Sequence, residues 1–264
     1  MDPKDRNVWI TGASSGIGQA LALEMARAGA RLLLSARRLV RLEETASRCR
    51  ACGAEALVLP LDLSRTEELA GLAAKAETDL GQIDMLLNIA GIGQRGSALD
   101  TNFEVAKRIM DVDFWGAVEL TRAIAPGMVR RGMGQIVVVS GVLGKFGAPR
   151  RSFYSASKHA LHGWFDSLRE DILGSGVEIT LIVPGWVKTE ISECALDADG
   201  HPHGRIDAGQ ENGLSSEECA RRAMPAIIKG LPEQLVGGIE CGGVYLNRLW
   251  PGLFRKILRK RGIG

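Results

Sequence analysis

The sequence lacks the features that mark several classes of protein. Five cysteines are thinly spread through 264 residues, so we predict no disulfide framework and expect a reducing, cytoplasmic environment. No run approaches the roughly 18 consecutive apolar residues of a membrane-spanning helix, and the first residues show no secretory signal pattern. A net charge of +2 gives no strong electrostatic field, so no nucleic acid partner is expected.

Short apolar runs rich in Val, Ile and Leu alternate with segments of helical periodicity. Their hydrophobicity is continuous rather than alternating, which is typical of strands covered on both faces in a parallel sheet. We therefore predict an α/β fold, a Rossmann-type doubly wound parallel sheet, forming a single domain over 1–264. The predicted strands are 7–11, 31–36, 56–61, 84–88, 135–140 and 178–183.

The segment 190–214 differs from the rest of the chain. It is polar, contains several glycines and has little periodicity. A loop this long in a compact domain usually has a function or is disordered. We predict that it covers the substrate and is mobile without a ligand.

A glycine-rich loop follows the first predicted strand and precedes a helix. Gly12, Gly16 and Gly18, with Ser14, Ser15 and Ile17 beside them, follow the G-x-x-x-G-x-G spacing. Such a loop lets the backbone approach a pyrophosphate, which the helix dipole also attracts. The alternative is a glycine-rich turn that binds nothing, and the strand-to-helix context favours the phosphate-binding interpretation.

Arg37 and Arg38 follow the second predicted strand, where an adenosine ribose would lie. An acidic residue there would favour NAD(H), whereas an arginine can pair with a 2′-phosphate. We therefore predict NADP(H), with NAD(H) less favoured. The alternative is a solvated basic start of a helix. Further contacts are expected after the next two strands: Asp62 and Leu63 at the adenine, and Asn88, Ala90 and Gly91 where the sheet approaches the cofactor.

Four motifs occur in one order along the chain: TGASSGIG, NIAG, YSASK and PGWVKTE. In this set the sequence resembles the short-chain dehydrogenase/reductase family. The extended sugar-nucleotide epimerase branch is the runner-up, but it has G-x-x-G-x-x-G spacing and needs a larger substrate domain. The resemblance implies a homo-oligomeric oxidoreductase. It adds Pro184, Gly185, Val187 and Thr189 to the cofactor contacts.

Tyr154 and Lys158 are the predicted catalytic residues, and both would also contact the cofactor. Four residues apart on a helix, they share one face. A nearby ammonium and the positive nicotinamide ring favour the phenolate, which brings the tyrosine pKa from about 10 towards the working pH. Tyr154 would exchange a proton with the substrate oxygen during hydride transfer. Lys158 would also bind the nicotinamide ribose.

Two positions depart from the family pattern. Gly141 stands where the resemblance places a substrate-polarising serine, and Asp113 where it places an asparagine. Adjacent strand residues point to opposite faces, so we expect Ser140 to face away from the nicotinamide. Loss of one such donor typically costs about 10²–10³ in rate, which predicts a slower enzyme. The sequence does not show whether the charge of Asp113 strengthens or weakens the effect of Lys158.

The segment 244–262 combines apolar residues, including Trp250, with a basic cluster. Such a helix could lie on an anionic membrane surface. The alternative is packing on a neighbouring subunit or over the substrate cleft, and we favour this one. This ending resembles a membrane-associated subgroup of the family, the dehydrogenase/reductase member 7 proteins. Peripheral membrane contact is therefore kept as a second expectation.

No metal site is predicted. The pair Cys49 and Cys52 has zinc or redox spacing but no second pair, and we expect ordinary thiols. His201 and His203 lack thiolate or carboxylate support in the sequence pattern, and we expect them to be solvated.

The sequence therefore predicts an NADP-preferring oxidoreductase that interconverts an alcohol and a carbonyl on a small molecule. The apolar residue Trp186 and the C-terminal segment suggest a hydrophobic substrate. The alternative is a catalytically weakened NADP-binding protein, a sensor or scaffold, because Gly141 replaces the serine.

Overall fold

Seven parallel strands form one sheet in the computed structural model, which describes residues 1–261. Gly262, at the end of the predicted C-terminal segment, lies outside the described residues. The strands are β1 (Asn7–Thr11), β2 (Arg31–Ser35), β3 (Ala56–Val58), β4 (Met85–Asn88), β5 (Gly134–Val139), β6 (Val177–Pro184) and β7 (Glu233–Val236). Their order in the sheet is β3-β2-β1-β4-β5-β6-β7. The predicted Rossmann-type fold is confirmed.

Helices connect the strands and cover both faces of the sheet. They are α1 (Gly16–Arg27), α2 (Leu39–Ala51), α3 (Leu69–Leu80), α4 (Phe103–Met110), α5 (Gly116–Arg131), α6 (Ser152–Asp171), α7 (Ala208–Glu211), α8 (Ser216–Lys229), α9 (Gly242–Leu249) and α10 (Pro251–Arg261). A π-helical turn, Asp111–Trp115, joins α4 to α5.

The two faces of the sheet carry separate cores, which explains the continuous hydrophobicity of the strands. Val8 and Ile10 pack with residues of α1, α2 and α8, while Trp9 packs with residues of α3, α5 and α6 on the other face. All three side chains are fully buried. Successive side chains on a strand point to opposite faces, so most positions of a strand covered on both faces are apolar.

The seventh strand was not predicted from the sequence. β7 has the sequence EQLV and lies at the edge of the sheet, with only Val236 buried. An edge strand has one neighbour and tolerates polar side chains, so its apolar signal is weak. The six predicted strands are present, with ends that differ by up to three residues.

The winding of the chain reverses at β1, which pairs with β2 on one side and β4 on the other. The two connecting segments leave the sheet in opposite directions at this point, and a crevice opens beyond the carboxyl ends of the strands. Thr11, the last residue of β1, binds across the reversal. Its hydroxyl donates to the carbonyl of Leu87 at 3.3 Å and accepts from the amide of Ile89 at 3.1 Å.

The chain ends in the helical pair α9 and α10. Phe254 packs edge-on against Phe146, with ring centroids 4.8 Å apart. Tyr245, Leu249 and Trp250 remain more than half exposed. Among the described residues, no helix has both the length and the apolar character needed to cross a bilayer.

The buried ring of Phe165 on α6 offers a test of the packing. It is fully buried beside Trp164, with ring centroids 4.7 Å apart. Phe165→Ala should lower the free energy of unfolding by about 3–5 kcal/mol through lost burial and a residual cavity. Phe103→Ala is the matched control, because Phe103 is 75% exposed. Urea unfolding should show a change below about 0.5 kcal/mol for the control. Equal losses in the two variants would contradict this packing.

Candidate active site

A cavity of about 350 Å³ lies at the reversal of the sheet. Its wall brings together eighteen of the nineteen predicted site residues. They are Gly12, Ser14, Ser15, Gly16, Ile17, Gly18, Arg37, Arg38, Asp62, Leu63, Ala90, Gly91, Tyr154, Lys158, Pro184, Gly185, Val187 and Thr189. The carboxyl ends of parallel strands meet at one edge of the sheet, so these distant segments meet there too.

Asn88 is the predicted residue that the cavity wall does not include. Its amide nitrogen donates to the hydroxyl of Thr121 at 3.1 Å, and both side chains are buried. Asn88 therefore ties β4 to α5 behind the wall. The NIAG motif reaches the cavity through Ala90 and Gly91 instead.

The glycine-rich loop places the start of α1 against the cavity. Gly18 packs on the carbonyl of Gly12 so closely that a Cβ atom would overlap it. Ser15 precedes the helix and makes no side-chain cap to it. The first amides of a helix have no partner within it, and the helix dipole is positive at this end. This cradle is suited to a pyrophosphate.

Arg38 is held by an acidic residue of the 190–214 loop. Its guanidinium donates to Glu190 at 2.8 Å and to the hydroxyl of Ser15 at 2.7 Å. Arg41 binds the other oxygen of the same carboxylate. These two arginines lower the pKa of Glu190 by hydrogen bonding to its charged form. Sequence reasoning missed Glu190, since nothing in the sequence links it to α2.

Arg37 is exposed at the rim of the cavity, close to Asp62. Asp62 accepts hydrogen bonds from the amide of Ser64 at 3.0 Å and from its hydroxyl at 2.8 Å. Burial opposes ionisation of Asp62, but Ser64 and Arg37 together hold the pKa of this carboxyl below its usual value. Asp62 therefore contributes a negative charge to the cavity wall beside Arg37.

Tyr154 and Lys158 lie on α6 and face the same cavity. The Lys158 Nζ atom is 5.6 Å from the centroid of the Tyr154 ring and donates to the carbonyl of Val139 at 3.3 Å. The start of α6 is capped by Gln94, whose side-chain oxygen accepts from the amides of Phe153 at 2.8 Å and Tyr154 at 3.3 Å. Gln94 is fully buried and fixes the turn that carries Tyr154.

A second charge lies beside Lys158. Asp113, in the π-helical turn, is buried, and its Oδ2 atom is 3.6 Å from the Nζ of Lys158. Its Oδ1 accepts from the amide of Ile92 at 2.7 Å. Burial raises the pKa of the Tyr154 phenol above its usual value, the Lys158 ammonium opposes this, and the Asp113 carboxylate adds to it.

The structure shows where Ser140 and Gly141 lie at the end of β5, where the family resemblance places a serine. The Ser140 hydroxyl donates to the carbonyl of Lys158 at 3.2 Å, so it is directed at the backbone of α6. A Cβ on Gly141 would find space, since its nearest neighbour would be the carbonyl oxygen of Pro184 at 3.7 Å. The φ angle of Gly141 is 152°, however, and side-chain-bearing residues rarely adopt it.

The 190–214 loop closes one side of the cavity. It contributes Glu190, Ile191, Cys194 and Gln210 to the wall. Trp186, predicted to contact the substrate, is not part of the wall, because its ring packs on Gly209 of α7. No residue of 244–261 belongs to the wall either.

Asp207 anchors the far end of this loop to two arginines. Its Oδ2 atom accepts from Arg95 Nε and from Arg151 Nη2, both at 2.9 Å. Both guanidinium groups are more than nine-tenths buried. Burial favours neutral Asp207, but Arg95 and then Arg151 hold the pKa of its carboxyl below the usual value.

The two cysteines of the C-x-x-C pair differ in their surroundings, and so do the two loop histidines. Cys49 is buried, which raises its pKa to about 11, and Cys52 is exposed. His201 is exposed as predicted, whereas the side chain of His203 is only 13% exposed. His201 has ligand atoms of Asp197 and Asp199 within 4.8 Å. The Asp197 carboxylate already accepts the amides of Asp199 and His201.

Comparison with known proteins agrees with this arrangement. A family model described as short chain dehydrogenase matches residues 6–199. The "Dehydrogenase/reductase SDR family protein 7-like" of Drosophila melanogaster is 36% identical over 261 residues, covering 97% of this chain and 80% of that protein. The "Dehydrogenase/reductase SDR family member 7B" of Danio rerio is 36% identical over 265 residues, covering 98% and 86%. The predicted resemblance to the member 7 proteins is confirmed.

Solved structures share the fold. A short-chain dehydrogenase/reductase from Burkholderia phymatum in complex with NAD superposes with a TM-score of 0.85 at 25% identity, covering 96% of each chain. A short-chain dehydrogenase from Sphingobium yanoikuyae in complex with NADPH gives 0.78 at 29% identity, covering 87% of each. The chain belongs to the short-chain dehydrogenase/reductase family and is an NAD(P)-dependent oxidoreductase.

Proposed function

We propose that the protein interconverts an alcohol and a carbonyl on a small, hydrophobic molecule, with NADP(H) as cofactor and Tyr154 as the acid/base. The observation that carries this proposal is the shared cavity. Tyr154 and Lys158 face the same space as the glycine-rich loop, so a dinucleotide held by the loop would extend towards the phenol.

The cavity residues fit a nicotinamide dinucleotide. The start of α1 suits the pyrophosphate, Asp62 and Leu63 the adenine, and Lys158 the nicotinamide ribose. The bound cofactor would supply or accept the hydride. Ile92, Val112 and Ile191 give the cavity wall apolar surface, which supports a hydrophobic substrate.

Tyr154 would give its phenolic proton to the oxygen of a carbonyl substrate, or take one from an alcohol. The ammonium of Lys158 stabilises the phenolate, and the Gln94 cap fixes the turn on which the phenol lies. At Gly141 no side chain can polarise the substrate oxygen. We infer that the protein works with one hydrogen-bond donor fewer than the family pattern provides.

The preference for NADP(H) is argued from Arg37 and Arg38. Arg38 lies beside Ser14 and Ser15, and Glu190 neutralises part of its charge. A 2′-phosphate would compete with the Glu190 carboxylate for the same guanidinium, because both are anions with oxygen acceptors.

The cofactor preference can be measured by titrating the protein with NADPH and NADH. We expect NADPH to bind about 10–100-fold more tightly, which corresponds to the 1.5–3 kcal/mol of a charged hydrogen bond. Arg37→Asp combined with Arg38→Asp should abolish or reverse this ratio. Arg27→Asp is the control, because Arg27 is the last residue of α1 and pairs with Glu24 on the same helix. Equal affinities for NADPH and NADH in the unmutated protein would contradict the proposal.

Glu190→Gln should then raise the affinity for NADPH by about 3–10-fold and leave that for NADH unchanged, since an exposed ion pair contributes about 1 kcal/mol. Glu193→Gln, an exposed acid three residues further along the same loop, is the control. A gain for both cofactors would show that Glu190 acts on something other than the 2′-phosphate.

Catalysis can be tested on a panel of activated ketones. Tyr154→Phe should remove nearly all turnover, while Ser140→Ala should change it little, because the Ser140 hydroxyl binds the backbone of α6. Gly141→Ser should raise turnover by up to about 10²-fold. The backbone at φ 152° must shift to accept the side chain, which limits the gain.

Two outcomes would change this assignment. If Ser140→Ala is as damaging as Tyr154→Phe, Ser140 is the second donor. If the unmutated protein and Gly141→Ser are both inert while NADPH binds, the protein is a cofactor-binding sensor or scaffold. The observation that favours this second candidate is the absence of a side chain at Gly141.

We also propose a cytoplasmic homo-oligomer that contacts an anionic membrane surface through α9 and α10. Leu249, Trp250 and Leu253 are 65%, 62% and 51% exposed. The chain contains no Asp or Glu after Glu240 but six Lys or Arg residues. An apolar surface with a basic border suits an anionic lipid headgroup layer.

Sedimentation with lipid vesicles tests this contact. The protein should bind vesicles that contain anionic lipid and not neutral ones, and Trp250→Ser with Leu253→Ser should weaken binding at least tenfold. Leu99→Ser is the control, because Leu99 is 95% exposed on another part of the surface. If the double variant instead breaks an oligomer in size-exclusion chromatography, the segment packs on a neighbouring subunit.

A further inference from the structure

The carboxylate of Asp113 is the one acidic group within contact distance of Lys158 among the ion pairs of the described residues. The two side chains are 1% and 3% exposed, so water does not screen them. The family pattern has a neutral amide where this chain has Asp113. The exchange therefore places a full charge 3.6 Å from the ammonium beside the candidate acid/base.

The surroundings of Asp113 fit the ionised carboxylate. Oδ1 accepts from the amide of Ile92 at 2.7 Å, and Oδ2 faces the hydroxyl of Ser157 at 3.4 Å and the ammonium of Lys158. The amide of Ile92 and the ammonium of Lys158 can only donate. Burial raises the pKa of Asp113 above its usual value, and Lys158, Ile92 and Ser157 oppose this rise only in part. The Ser157 hydroxyl has one proton, for which the carbonyl of Tyr154 at 2.8 Å competes, so the ionised form of Asp113 depends mainly on the Ile92 amide and the Lys158 ammonium.

The pair is fixed by the space around it. A Cβ atom on Gly91 would lie 3.2 Å from the Lys158 ammonium and 3.4 Å from Asp113 Oδ1. The NIAG motif therefore leaves room for the ion pair, and any side chain at Gly91 would push it apart. The ammonium also donates to the carbonyl of Val139, so its position is set from two sides.

Four charged groups act on the Tyr154 phenol from the elements around it. Lys158 and Arg151 are on α6 or at its start, Arg95 follows β4, and Asp113 is in the π-helical turn. Asp207 neutralises much of the Arg95 and Arg151 charge. Burial is the largest influence on the phenol, and among the charges the balance is set mainly by Lys158, which favours the phenolate, and by Asp113, which disfavours it.

We propose that Asp113 is a positioning residue that holds Lys158 in a buried ion pair and offsets its charge at Tyr154, so that the phenol releases its proton at a higher pH than beside a neutral residue. This inference rests on the proposed role of Tyr154. It predicts an enzyme whose oxidation of an alcohol, which needs the phenolate, is shifted towards alkaline pH. Removal of the Asp113 charge lowers the pKa of Tyr154, because it removes a contribution that raises it.

The chain allows a direct measurement, because it contains only two tyrosines, Tyr154 and Tyr245. In a Tyr245→Phe background, the ultraviolet absorbance of phenolate as a function of pH reports Tyr154 alone. Asp113→Asn keeps the shape and the acceptor for Ile92 and should lower the titration midpoint by roughly one pH unit. Asp111→Asn is the matched control. Asp111 is in the same turn but pairs with Lys107 at 2.7 Å, so the midpoint should not move.

Lys158→Met in the same background gives a second measurement if Asp113→Asn does not fold. Loss of the ammonium leaves the Asp113 charge unopposed, so the midpoint should rise. An unchanged midpoint in the folded variants, or no titration of any of them below alkaline unfolding, would overturn the inference. A shift equal in Asp111→Asn and Asp113→Asn would also overturn it.

Activity separates this inference from the proposed function. Because oxidation needs the phenolate, the acid-side limb of kcat/KM for alcohol oxidation, on which activity rises with pH, should move to lower pH in Asp113→Asn by the same amount as the absorbance midpoint. If the midpoint moves while no variant turns over any substrate, the charge balance stands and the catalytic role of Tyr154 fails. If the protein turns over a substrate and Asp113→Asn moves neither the absorbance midpoint nor the pH profile, the catalytic role of Tyr154 stands and the ion pair has no effect on it.

Discussion

The reversal of winding at β1 is the constraint on which the rest of the structure depends. All seven strands are parallel, so their carboxyl ends lie at one edge, and only where the connections diverge does that edge open into a cavity. The Thr11 hydroxyl binds the ends of β1 and β4 together at this point. The glycine-rich loop on one side and the NIAG motif on the other therefore face each other across a fixed distance.

Charged side chains surround the Tyr154 phenol at one end of the cavity. Lys158 and Asp113 form a buried pair, and a second group, Arg95, Arg151 and Asp207, has one carboxylate for two guanidinium groups. Burial alone would keep Tyr154 protonated, and the nearby cations work against it. Such opposed contributions are how a phenol with an ordinary pKa of about 10 is adjusted to a task.

The 190–214 loop connects the two ends of the cavity through its acidic residues. Glu190 binds Arg38 and Arg41 near the glycine-rich loop, and Asp207 binds Arg95 and Arg151, two arginines whose charge reaches the Tyr154 phenol. Between them, Ser192 and Ala195 are fully buried, so a segment that reads as irregular has its own packing. A ligand that binds Arg38 in place of Glu190 would release the loop at Glu190 and leave it held at Asp207.

The sequence by itself determined the sheet, because strands that are buried on both faces appear in it as continuous apolar runs. It also determined the glycine-rich cradle and the pairing of Tyr154 with Lys158, because the spacing of these residues is local. The tertiary structure alone decided the contacts between segments far apart in the chain: the Gln94 cap on α6, the hold of Glu190 on Arg38, and the position of Asn88 behind the cavity wall. It also decided the sign of the effect of Asp113, which depends on a 3.6 Å distance across two elements. Periodicity reports which face a residue occupies, whereas a Coulomb interaction depends on separation and burial, and only the folded chain sets these.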